Sequence, residues 1–425
     1  MNSEHDKPIK IRDPIYGFIE LDSQEKEIIN NKYFQRLRRI KQLSLTEMVY
    51  PGACHTRFEH SLGVMQMASD MFDNLVKHNR NKEILKLDQY SIKRTKKILR
   101  IAALLHDIGH SPFSHAGENT MELLPEGHLD LVTGTEKYDH EHYSKAAIKF
   151  LFRDIIEDHP LVENYPISVD EVLLLLGDKT VRLRGRGNLM ILKELISGQF
   201  DADRADYLLR DSLHLGVNYG IYDKSRLISC VTLGESETGS FVLAIEEGGL
   251  NIAESLVIAR YQMFSQVYFH KVRRIFDYHV SNTLSEILKY LGLKNGIFLP
   301  PTSKENMIKY FEFDDWSIQG LLKDGKGGKH GDHILCRTPY KKIAEWRGDM
   351  TESIENEIKS YENKYSGKNY FLDKNVSTKW YKLDKDIIIS SNETEKYYPL
   401  SMKSQLIKAI GQPNVTRFYV AREDL

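Results

Sequence analysis

Apolar residues recur at the helical period through most of the first half of the chain. Between Glu25 and Leu43 they fall at Ile28, Ile29, Phe34, Leu37, Ile40 and Leu43, with Arg36, Arg39 and Lys41 on the other face, which predicts one helix. A Pro51-Gly52 break precedes a second amphipathic helix, expected from Phe58 to Val76. Ile98, Ile101, Ala102 and Leu105 repeat at i, i+3, i+4, i+7, so a helix runs into His106 until Gly109 and Pro112 stop it. Shorter helices are expected at Glu141–Phe152, Leu189–Ser197 and Arg204–Ser212.

Between Leu227 and Ile245 the period changes. Two β-rich runs, Ser229–Leu233 and Phe241–Ile245, flank a Gly/Ser/Glu turn and predict a hairpin. A long helical region follows from Asn251 to Leu291, and the glycine-rich stretch Lys323–His333 reads as a mobile loop or linker. Beyond it a helix over Lys341–Tyr361 and short strands at Ile387–Ile389 and Val415–Val420 are expected. The fold class is therefore mainly α: a helical core in residues 1–300 with a small β-hairpin, and a C-terminal α+β lobe in residues 301–425.

Composition narrows the function. In 425 residues, 59 basic and 60 acidic side chains leave a formal charge of −1, so no large field exists to gather nucleic acid unspecifically. With 41% hydrophobic residues the chain can bury a core, which excludes disorder as its dominant state. Cys54, Cys230 and Cys336 are too few and too dispersed for a disulfide framework or a thiolate zinc site. The polar start Met1–Lys10 does not read as a signal peptide, and no apolar run approaches the roughly 18 residues of a membrane span. A soluble, cytoplasmic protein is expected.

Histidine is the informative excess. One predicted helix end carries His106, Asp107, His110 and His115 together, and packing gives no reason for such a cluster. A buried His-Asp doublet is costly unless something binds it. Imidazole plus carboxylate without thiolate suits Mn, Fe, Zn or Ni. A histidine on a preceding helix and a carboxylate among Asp201, Asp203 and Asp206 would complete a two-His, two-Asp site. The His106/His110 spacing matches a zincin pair, but Gly109 interrupts the helix that such a pair needs.

Six stretches, in order over residues 8–280, resemble the HD-domain phosphohydrolases, specifically their deoxynucleoside-triphosphate triphosphohydrolase branch. They are Asp13–Gly17, Phe34–Leu43, Tyr50–Gly63, Leu105–His115, Phe200–Asp211 and Tyr268–Val272. The resemblance implies hydrolysis of a dNTP to deoxynucleoside and inorganic triphosphate, with a metal-activated water attacking the α-phosphorus. By it the metal ligands are His60, His106, Asp107 and Asp203, with Asp201 left as a helix N-cap and Asp206 as an ion-pair partner. His115 is the implied general acid, Glu118 stands where the family has Asp, and His110, His140 and Glu141 support it.

The same resemblance puts Arg57, His110, Arg204, Arg260 and Lys271 near the triphosphate, with Mg²⁺. Gln42, Leu43, Asp211 and Tyr268 fall at the deoxyribose, and Tyr207 touches sugar or phosphates. A ribose 2′-hydroxyl would then face apolar carbon and an aromatic ring. Family members are tetramers or dimers switched by nucleotides, and Gln35 and Arg38 match residues that read an activator guanine. Asn30 replaces the family's Asp there, and an amide oxygen cannot accept both guanine donors as a carboxylate does. The chain is thus expected to work without an activator or to answer to another nucleotide. Two rival readings remain: a different HD-type phosphodiesterase or nucleotidase, and a nucleotide-sensing or nucleic-acid-binding scaffold without turnover.

Overall fold

The computed structural model describes residues 9–124, 137–181, 187–236, 238–375, 381, 386–391 and 396–425, so most of the Met1–Lys10 stretch lies outside the described residues. Counting helices of eight residues or more, the order begins β1 (Ile9–Asp13), β2 (Gly17–Leu21), α1 (Ser23–Asn30), α2 (Arg57–Leu75), α3 (Gln89–Leu105), α4 (His140–Leu151) and α5 (Ala202–Leu215). It continues with β3 (Val231–Glu235), β4 (Phe241–Glu246), α6 (Leu250–Met263), α7 (Lys271–Tyr290), α8 (Asp315–Lys323) and α9 (Gly328–Leu335). The chain closes with β5 (Lys341–Arg347), α10 (Glu352–Lys364), β6 (Tyr370–Asn375), β7 (Ile388–Ser391), β8 (Lys396–Pro399) and β9 (Val415–Val420). The protein is mainly α, as the helical periodicity implies.

At the centre lies α2, whose Val64, Met65, Met67, Ala68, Met71 and Phe72 are wholly buried. It packs along α3 and α5, so the three segments that carry the expected metal ligands are neighbours before any ligand is considered. The expected hairpin is β3–β4, and it belongs to a four-stranded sheet of order β3-β4-β7-β8. There β4 runs parallel to β7, with Ala244 opposite Ile388, so residues on both sides of position 300 share one sheet. The last sheet, β5-β9-β6, is antiparallel. Among the described residues no helix is long and apolar enough to cross a membrane.

Four expected elements differ. The single helix over Glu25–Leu43 is broken: Asn31 ends α1 in an extended conformation and caps a new turn at Lys32–Gln35, followed by a 3₁₀ turn at Arg36–Arg39. The helical run Asn251–Leu291 is split by a π-helical turn at Phe264–Tyr268 and restarts where the His270 side chain accepts from the Val272 N–H. The glycine-rich stretch is no loose linker, since α9 occupies it. A Cβ at Gly327 would lie 2.6 Å from Leu322 Cδ1 and 2.9 Å from Thr283 Cγ2, so glycine there serves close packing rather than mobility. The helix expected at Lys341–Tyr361 is a strand followed by a helix, because pairing with β9 overrides local periodicity.

Candidate metal centre and histidine cluster

The site begins with two imidazoles. His60, fully buried on α2, bonds through Nδ1 to Asp206 Oδ2 at 2.8 Å, which leaves Nε2 facing Asp203 Oδ1 at 3.0 Å. His106 ends α3, and its Nδ1 lies 2.7 Å from the Ala103 carbonyl, so its Nε2 also turns inward. That atom is 3.4 Å from Asp107 Oδ1 and 3.7 Å from Asp203 Oδ1. Among the described residues neither buried Nε2 atom has a partner in hydrogen-bond geometry, close as the carboxylates lie. Ligand atoms of His60, His106 and Asp203 all lie within 4.8 Å of one another, with Asp107 alongside. Orphaned imidazole nitrogens facing carboxylates are what a divalent ion satisfies, so the residues fit the expected metal.

A buried layer supports them. Asp206 takes a forked pair of bonds from Arg210 at 2.8 and 2.9 Å, and Arg210 reaches on to Asp13 Oδ2 at 3.0 Å. Gly63 admits that layer: a Cβ there would lie 2.0 Å from Asp206 Oδ1. Asp201 caps α5 by accepting from the Arg204 N–H at 2.7 Å. Both Asp201 and Asp206 thus hold the structural roles assigned to them. Burial opposes the charge on His60, yet Asp203 and Asp206 override it and raise the imidazole to about 10. Burial likewise works against Asp107, while His106, Arg57 and His60 hold it below the usual carboxylate range.

The second cluster is His110, His115, Glu118 and His140. Glu118 Oε1 lies 3.0 Å from His115 Nδ1 and 2.5 Å from His140 Nδ1, so one carboxylate oxygen bridges two rings. His110 stacks on His140 with centroids 3.9 Å apart at 12°. Gly109 allows this approach, since a Cβ would sit 2.2 Å from the Ser144 nitrogen on α4. His115 is the exposed member, its side chain 60% accessible. Burial opposes a charged His140, but Glu118 raises it to about 9. Burial together with Arg57 and His140 pushes His110 well below its ordinary value. The clusters meet at Asp107, whose Oδ1 is 3.5 Å from His110 Nε2.

Along α5, Asp203, Tyr207 and Asp211 follow at four-residue intervals, roughly one face of the helix. Tyr268 donates its hydroxyl to Asp211 Oδ2 at 2.6 Å, and its ring meets Tyr207 edge-on at 6.1 Å. His55 Nε2 holds the other Asp211 oxygen at 2.7 Å. Gln42 and Leu43 are buried, and the Gln42 N–H donates to the His55 carbonyl at 3.0 Å. Arg204 donates to the Gly198 carbonyl and to Asp201, and Arg260 is buried on α6 within reach of the Arg204 charge. Arg57 is taken up by Asp107 and by Ser114 Oγ, the latter at 2.8 Å. Lys271 is exposed in the first turn of α7.

Two groups stand apart. Glu141 is partly exposed and lies 3.8 Å from Lys145, and its charge also acts on His140. Gln35, Arg38 and Asn30 form a surface set: Gln35 Nε2 donates to the Ile29 carbonyl at 2.7 Å, Arg38 Nε donates to Gln35 Oε1 at 2.9 Å, and Asn30 ends α1. Residues that the sequence reading did not single out are His55, Arg210 and Ser114. His55 and Ser114 act through partners distant in sequence, whereas Arg210 pairs with Asp206 at i, i+4, a spacing that could have marked it.

Residues 57–210 match the HD domain and residues 222–358 the HD associated region, so the chain carries an HD domain followed by the region that accompanies it. It is 38% identical over 285 residues to the uncharacterized protein MJ1154 of Methanocaldococcus jannaschii, covering 67% of this chain and 50% of that one. It is 30% identical over 287 residues to the deoxynucleoside triphosphate triphosphohydrolase SAMHD1 homolog of Dictyostelium discoideum, covering 68% and 51%. The chain thus spans about half the length of these curated relatives. A crystal structure of a hypothetical protein from Aquifex aeolicus superposes with a TM-score of 0.75 at 27% identity, over 98% of this chain and 97% of that one.

Proposed function

We propose that the protein hydrolyses deoxynucleoside triphosphates to deoxynucleoside and inorganic triphosphate. The observation that carries this reading is the line Asp203, Tyr207, Asp211 on α5, which joins the metal ligands to the Tyr268–Asp211 pair. A substrate laid along it has its α-phosphate at the metal set and its sugar against Tyr268, Gln42 and Leu43. The similarity to a dNTP triphosphohydrolase homolog supports the same substrate class.

His60, His106, Asp107 and Asp203 would hold a divalent transition metal (Mn, Fe, Zn or Ni), which supplies Lewis-acid polarisation and lowers the pKa of a bound water, with Mg²⁺ accompanying the triphosphate. Arg204, Arg260, Arg57 and Lys271 provide positive donors for phosphate oxygens, and His110, held neutral, offers a ring N–H beside them. Water attacks the α-phosphorus in line with O5′. As the P–O5′ bond breaks, His115 gives its Nε2 proton to O5′ and triphosphate leaves. Glu118 fixes the tautomer, because its oxygen occupies His115 Nδ1 and leaves Nε2 for the substrate. His140 holds the other side of Glu118. Asp211 accepts from the sugar 3′-hydroxyl, and a 2′-hydroxyl finds no partner among Leu43 and the Tyr268 ring. A cytoplasmic homo-oligomer, dimer or tetramer, completes the reading, with Gln35, Arg38 and Asn30 as its nucleotide activator site.

The test incubates metal-loaded protein with each dNTP and its NTP counterpart, alone and mixed, and identifies products by mass. Deoxynucleoside plus intact triphosphate, abolished in His106→Ala, is the expected result. Orthophosphate or pyrophosphate release, or turnover of a non-dNTP nucleotide alone, would transfer the site to another HD-type activity.

A further inference from the structure

Asp315 is a carboxylate whose cost the proposed chemistry does not yet explain. It is 1% exposed, and burying an ionised carboxylate is expensive unless its oxygens are satisfied. Both are satisfied, by two different loops. Oδ2 accepts from the Lys41 N–H at 2.8 Å, and Oδ1 accepts from the Phe113 N–H at 2.7 Å. Lys41 immediately precedes Gln42 and Leu43, and Phe113 lies two residues before His115.

The acid-bearing loop needs such a hold. Phe113 and Ser114 both adopt left-handed backbone, at φ +60° and +55°, which two consecutive non-glycine residues rarely do. Conformations of this kind persist only where surrounding contacts over-determine them. Ser114 Oγ closes the link by donating to the Lys41 carbonyl at 2.6 Å. The same C-terminal segment grips the loop further back, since the Tyr310 hydroxyl donates to the Gly109 carbonyl at 2.8 Å. Arg36 bridges the Phe313 and His110 carbonyls at 2.6 and 2.9 Å.

We infer that Asp315 is a positioning residue that clamps the acid loop to the sugar-side loop and thereby sets His115 against the leaving oxygen. The inference rests on the general-acid role given to His115 above. It extends that role to a residue about 200 positions away in the chain, in the helix that follows the core. Asp315→Asn is the sharp variant. Its shape is retained, but its amide group offers a donor where a second acceptor is required, so only one loop can be held.

The experiment measures kcat/KM for a series of aryl phosphodiesters of rising leaving-group pKa, alongside one dNTP, in wild type, Asp315→Asn, His115→Ala and the double variant, with metal content determined for each. Protonation by His115 makes wild type insensitive to the leaving group. Asp315→Asn is expected to steepen that dependence as His115→Ala does and to lower dNTP turnover on the order of 10²-fold. It should also keep its metal and add little further loss in the double variant. An unchanged slope, a loss equal for all leaving groups, or additive losses would overturn the inference. Wild-type turnover of aryl esters without turnover of any dNTP would remove the dNTP reading and leave the clamp to be judged on the slope. Silence toward both substrates would overturn both.

Discussion

His60 turns its Nδ1 to Asp206 at 2.8 Å, and this one bond decides which nitrogen faces the centre. An Asp–His pair of this kind fixes the tautomer and raises the basicity of the ligating nitrogen. Asp206 itself is held by the Arg210 fork, so it cannot swing to become a ligand.

Asp206→Asn is therefore expected to weaken metal binding by roughly 10- to 100-fold while the four ligands stay in place. Equilibrium dialysis against Mn²⁺ or Zn²⁺ reads this directly, and an unchanged affinity would remove Asp206 from the metal's support.

Glu118→Gln should separate proton transfer from metal binding. The amide keeps an acceptor oxygen but removes the negative charge that both imidazoles face, so His115 and His140 are held by weaker, uncharged bonds. A kcat loss of about 10²-fold or more, with metal content unchanged, is the expected outcome. Wild-type kcat in this variant would leave the bridge a purely structural pair.

In the proposed function, sugar selectivity is assigned to Tyr268. Removing its ring in Tyr268→Ala opens the wall that a ribose 2′-hydroxyl would meet and breaks the bond to Asp211. The ratio of NTP to dNTP turnover is expected to rise about 10-fold. Competition of paired substrates in one reaction measures it, and an unaltered ratio would place discrimination elsewhere.

Away from the site, Glu25 gives an acid-stability prediction. Burial disfavours its charge, but Arg100, Lys97 and the Asp22 N–H override this and depress it from 4.5 to about 2. A depressed folded value means the contribution is present above pH 4.5 and is lost as pH falls towards 2. Its size is on the order of 3 kcal/mol. Denaturant melts of Glu25→Gln between pH 7 and 3 should show a shallower loss of stability than wild type. Parallel curves would show that Glu25 contributes nothing to the slope.

Local signals carried much of this protein. The period of Ile98, Ile101, Ala102 and Leu105 ends where His106 turns inward, and the cluster His106–His115 announces chemistry because packing gives no reason for four such residues at one helix end. The β3–β4 hairpin and β9 were legible from alternation and turn residues. Those features depend on neighbours a few residues apart, which is the range over which periodicity, caps and turns act.

The tertiary structure decided the rest, because its partners lie too far apart for any spacing rule. Whether Lys341–Arg347 is helix or strand depends on β9, some 70 residues on. Gly327 and Gly331, before and within α9, are there for the surface of Leu322 and Thr283, not for freedom of the chain. His55 has meaning only once Asp211 stands beside it. Asp315, next to the N-cap of a short helix, looks like an ordinary helix start until the fold brings Lys41 and Phe113 to its two oxygens. A sequence states which groups a chain owns; only packing, by removing water from some of them, decides which must find one another.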